Sequence, residues 1–65
     1  MNALITQRIG DLIRRERINQ NLSIRALADF CHISHSYLAD IEKGEVGLTD
    51  EIRQIIFQEL DIKST

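Results

Sequence analysis

The stretch Ser23–Gly44, SIRALADFCHISHSYLADIEKG, leaves the fewest choices of structure. It reads as two short amphipathic helices, Ser23–Cys31 and Ser34–Lys43, with His32 and Ile33 left to turn the chain. In the first, Ile24, Leu27, Ala28 and Cys31 recur at i, i+3, i+4 and i+7, one face of a helix. In the second, Leu38, Ile41 and Glu42 share a side, while His35, Ser36, Ala39, Asp40 and Lys43 point the other way. Ser23 and Ser34 stand where an N-cap hydroxyl accepts from free backbone N–H groups. Gly44 stands where a left-handed residue ends a helix without strain. Helices joined this closely cross steeply, so one lies along a surface and braces the other.

The flanking sequence supplies two more helices. Leu4 or Ile5 to about Gln20 carries a stripe of Ile5, Ile9, Leu12 and Ile13, with Arg8, Arg14 and Arg15 largely off it. Arg17 falls on the stripe and would bury a guanidinium unless paired. Asn19-Gln20-Asn21 closes this helix, and Asn tolerates the left-handed conformation better than most residues. Beyond the loop Glu45–Leu48, Thr49 caps a further helix whose first turn, Asp50 and Glu51, complements the dipole. Leu48, Ile52, Ile55, Ile56, Glu59 and Leu60 keep helical spacing, and Ile62 can close the core. Phe57 lies off that stripe, either exposed at a contact or covered by the tail. The expected fold is all-α, a compact four-helix domain, with a fifth helix beyond it as the open alternative.

Length and composition narrow the functional classes. A chain of 65 residues is one small domain, or one domain of a longer protein. At that size only about 60% of the unfolded surface is buried, which leaves little room for a catalytic cleft. A single cysteine, Cys31, excludes an intramolecular disulfide and suits a reducing cytoplasm. Its burial as a small apolar residue is the expected role. The start, MNALITQRIG, lacks the basic and apolar regions of a signal peptide. No apolar run approaches the roughly 20 residues of a membrane span. Net charge is −2, but residues 1–25 hold five Arg against Asp11 and Glu16, while residues 26–65 hold three basic and eight acidic residues.

Together these residues resemble the Cro/CI-type (phage-repressor-like, Xre-like) helix-turn-helix family. The resemblance is carried by Leu22-Ser23 with Leu27-Ala28, by Ile33-Ser34, and by Ser36-Tyr37-Leu38 with Ile41-Glu42-Lys43-Gly44. It extends without a gap from Ile9-Gly10, Ile13 and Arg17 to Leu60-Asp61-Ile62, residues 9–62 of a single domain at 1–65. It implies a transcription regulator, repressor-like, whose partner is double-stranded DNA. It also implies an ion pair between Arg17 and Glu42 that ties the first helix to the third. Asn21 stands where the family most often has Gly, and family turns often carry Gly near His32. Ile24 stands where it usually has a phosphate-binding Gln, and a loop that is commonly basic there carries Glu45, with Asp50 just beyond it.

In this docking mode the second helix of the pair enters the major groove and its N-terminal side chains meet base edges. His35, Ser36, Ala39 and Asp40 hold those positions, flanked by Tyr37 and Lys43. Ser36 suits any base, His35 a guanine acceptor or a phosphate, Ala39 a thymine methyl and Asp40 the cytosine N4 amino group. Phosphate contacts fall to the helix starts, Ser23 with Arg25 and Ser34, and to Lys43. If His35 meets phosphate as a cation, affinity rises as pH falls from about 7.5 to 6. A homodimer on an inverted repeat would present the reading helix twice, about 34 Å apart. Its contact surface is expected on the last helix and Phe57. Cys31, His32 and His35 match no zinc spacing. No catalytic arrangement, cofactor site or metal site can be built, so an enzyme is not expected. The alternative is a protein–protein adaptor or antitoxin-like module, binding a basic partner through Asp40, Glu42 and Glu45.

Overall fold

The structure, a computed structural model, describes residues 3–62. Among these it has four helices and no strand: α1 (Ala3–Asn19), α2 (Ile24–Cys31), α3 (His35–Lys43) and α4 (Asp50–Glu59). Helix α1 packs on α3, α3 on α2, and α2 on α4. The core at their junction is Ile13, Leu27, Ala28, Cys31, Leu38, Ile41, Ile56 and Leu60. Lys63-Ser64-Thr65, where a fifth helix or a tail over Phe57 would begin, lie outside the described residues.

Side-chain caps start three of the helices. The Ala26, Tyr37 and Ile52 N–H groups donate to Ser23 Oγ at 3.0 Å, Ser34 Oγ at 3.1 Å and Thr49 Oγ1 at 3.2 Å. The helix ends share a different device. Asn21, His32, Gly44 and Asp61 all have positive φ, and each begins a paired closure back onto the last turn. After α2, for example, the N–H of His32 donates to Asp29 O at 3.3 Å and that of Ile33 to Ala28 O at 3.0 Å. These bonds satisfy carbonyls that a helix end otherwise leaves open. Only Gly44 reaches that conformation without a Cβ, so the other three positions hold some strain.

The inner line of α1 differs from the sequence expectation. Thr6, Gly10, Ile13 and Arg17 are buried, whereas Ile5 is 55% exposed and Leu12 is half-buried. Close approach at glycine sets this rotation. A Cβ on Gly10 would overlap the Ile41 carbonyl oxygen and sit 2.9 Å from that of Glu42. One on Gly44 would meet the Gln7 Cα at 2.8 Å. Backbone therefore lies on backbone where α1 meets the end of α3, and the inner line runs through residue 10. At the other end of α1, Gln20 Nε2 donates to the Leu60 carbonyl at 2.7 Å and ties α1 to the end of α4.

Candidate nucleic-acid interface

Leu38, Ile41 and Glu42 anchor α3 in the body, and the opposite side faces out. His35, Ser36 and Lys43 are exposed, and Tyr37, Ala39 and Asp40 are half-buried. The tilt of α3 is held by charge as well as packing. Arg17 Nε donates to Glu42 Oε2 at 2.7 Å and Nη2 to Oε1 at 3.0 Å, a two-point fit of guanidinium to carboxylate. A third donor, Nη1, reaches the Leu22 carbonyl at 2.8 Å. One buried side chain thus joins α1, the loop before α2 and the end of α3. Among the described residues no buried side-chain nitrogen or oxygen lacks a partner.

Around this helix lie the proposed phosphate contacts. Ser23, Arg25 and Ser34 are exposed at the starts of α2 and α3. Both serine hydroxyls already accept a backbone N–H, so the caps fix the helix starts and leave the remaining N–H groups facing outward. Along the other flank of α3 runs a cleft lined by Asp11, Arg14, Arg17, Ile24, Ala39, Glu42 and Lys43. Arg17 and Glu42 cancel there. That leaves the exposed Arg14 and Lys43 against Asp11, so the cleft is locally basic on a chain whose net charge is −2. A phosphate responds to this local field more than to the total.

Two residues that pattern reading did not single out belong to this face. Arg14 joins the cleft because it lies one turn before Arg17 on α1; that spacing was the available signal. Asp29, on α2, has its Oδ1 3.1 Å from Nε2 of His35. The two are six residues apart across a turn, and only the fold brings them together. His35 is therefore not free at the start of α3.

The acidic face proposed for an adaptor needs correction. Glu42 is 6% exposed and spent on Arg17, which leaves only Asp40 and Glu45 near that surface. Cys31 faces the core. Burial pushes its thiol up from 9.0 to about 11, and the nearby Glu59 carboxylate adds to the effect. It packs as a small apolar group in the core. Phe57 is half-buried against the core, with the Arg53 guanidinium 5.7 Å from its ring centroid. No helix among the described residues is long and apolar enough to cross a membrane.

A braced helix with a free polar side, preceded by a tightly joined second helix, defines a class. The chain belongs to the helix-turn-helix family, whose sequence profile matches residues 13–65. Similar to it is the transcriptional regulator ClgR of Mycobacterium tuberculosis, in strain CDC 1551 / Oshkosh and again in strain ATCC 25618 / H37Rv. Each is 31% identical over 62 residues, which cover 95% of this chain and 55% of the relative. The chain thus spans about half the length of the curated relatives it matches. No solved structure matches it significantly.

Proposed function

We propose that this domain is a DNA-binding transcription regulator that reads a specific duplex by placing α3 in the major groove. The observation that carries the reading is the division of α3. Its inner residues are locked by the core and by Arg17, and its N-terminal side chains His35 and Ser36 stand in solvent. Ala39, Asp40 and Tyr37 border that exposed end, where base edges would be met. Ser23, Arg25, Ser34 and Lys43 would hold the flanking phosphates and set the register without choosing the sequence. The regulator similarity of the relatives supports the same class. Two copies on an inverted repeat, joined through α4 around Phe57, would leave both reading helices free.

Anisotropy titrations on a selected DNA site test this. His35→Ala with Asp40→Ala should alter which sequence binds best. Arg25→Ala should weaken all sequences alike and reduce the salt dependence by about one phosphate contact. Unchanged binding of the double variant to the original site would exclude α3 as the reader. Sedimentation of the free chain and of its DNA complex tests the dimer, with two copies expected on one duplex.

A further inference from the structure

The contact between His35 and Asp29 rests on the DNA-reading role above and refines what that role selects. His35 opens α3, and its Nε2 lies 3.1 Å from Asp29 Oδ1 on the preceding helix. A carboxylate has lone pairs and no hydrogen to give, so a hydrogen bond here requires the hydrogen on Nε2. A neutral imidazole carries only one N–H, which leaves Nδ1 as a bare acceptor. The two ring nitrogens diverge, so turning Nε2 toward α2 turns Nδ1 away from it. The His35 side chain is 45% exposed, and among the described residues Asp29 is its one side-chain partner.

We propose that Asp29 is a positioning residue that presents the neutral ring of His35 to DNA as an acceptor, selecting adenine or cytosine and rejecting guanine at the base His35 meets. Adenine N6 and cytosine N4 offer an amino hydrogen in the major groove, whereas guanine N7 and O6 offer only lone pairs. Against guanine, Nδ1 would set lone pair against lone pair. This reverses the guanine pairing open to a free histidine. Asp40, five residues further along α3, also accepts when ionised. The two most polar groups of the reading face therefore ask for the same kind of base edge, and Ser36 between them adapts to either.

Nitrogen NMR of the purified chain, without DNA at pH 8, reads the ring directly. Wild type should show hydrogen on Nε2 and a bare Nδ1. Asp29→Asn, whose amide both accepts and donates, should mix the two tautomers. Anisotropy on the selected site then reads the consequence. At the position where His35→Ala loses discrimination, a change to guanine should weaken wild type about fivefold, the worth of one net hydrogen bond. That ratio should fall toward one in Asp29→Asn. Hydrogen on Nδ1 in wild type overturns the proposal and leaves the DNA-reading role standing. A base preference unchanged in Asp29→Asn does the same. The expected tautomer in a chain that enriches no DNA sequence overturns the reading role, and this refinement with it.

Discussion

Arg17→Met keeps the side chain's stem and removes its three donors. Glu42 would lose bonds of 2.7 and 3.0 Å while its carboxylate stays at 5% exposure, and the Leu22 carbonyl would lose a 2.8 Å bond. Stripping one partner from a buried ion pair costs about 3–5 kcal/mol, because the remaining charge is left in a poor solvent. The carbonyl adds up to about 1 kcal/mol, limited because Leu22 is only half-buried. A domain of this length holds roughly 3–10 kcal/mol in all, so the substitution removes about a third of it or more. Arg17→Met with Glu42→Leu should fall within about 2 kcal/mol of wild type, since an apolar pair pays no desolvation of charge. Urea unfolding followed by circular dichroism measures the four stabilities, with an unchanged slope showing that the unfolded states are comparable. A cost below about 1 kcal/mol for Arg17→Met would refute the reasoning. So would a double variant that loses the sum of the two single costs.

Three further outcomes follow from the same geometry. Gly10→Ala should destabilise by about 1–3 kcal/mol in the same urea assay, because its Cβ would press on the Ile41 and Glu42 carbonyls and no side chain there can move aside. His32→Gly should raise the melting temperature by a few degrees: residue 32 is exposed at φ 59°, and glycine relieves the Cβ strain at little loss of packing. For Cys31, the folded chain keeps the thiol proton to about pH 11 while the unfolded chain releases it near 9.0. Its contribution is therefore fully present below pH 9 and is lost as pH rises through 11. Between those values wild type should lose about 2–3 kcal/mol more than Cys31→Ala in pH-dependent unfolding.

Local signals carried most of the fold. Ser23, Ser34 and Thr49 cap helices because their hydroxyls act within three residues, and the left-handed closures at Asn21 and Gly44 are equally local. Arg17 was legible as a buried cation because it falls on an apolar stripe, while its pairing with Glu42 was implied by the family resemblance and is present in the fold. The rotation of α1 was not legible. Apolar periodicity favoured Ile5, while the contact is set by the absence of a side chain at Gly10, which hydrophobic spacing cannot register. The site divides in the same way. Which side of α3 faces outward follows from Leu38 and Ile41, but the hold of Asp29 on His35 and the basic cleft of Arg14 and Lys43 depend on how separate helices meet.

Groove reading by α3 is tested most directly by selecting duplexes from a random pool with the purified chain. Enrichment of one sequence is expected, arranged as two inverted half-sites about 10 base pairs apart centre to centre. Retention should fall steeply with salt. Ser36→Glu with Ala39→Glu, changes on the outward side of α3, should abolish the enrichment while the chain stays folded. A pool that stays random, or an enrichment that survives both substitutions, would contradict it.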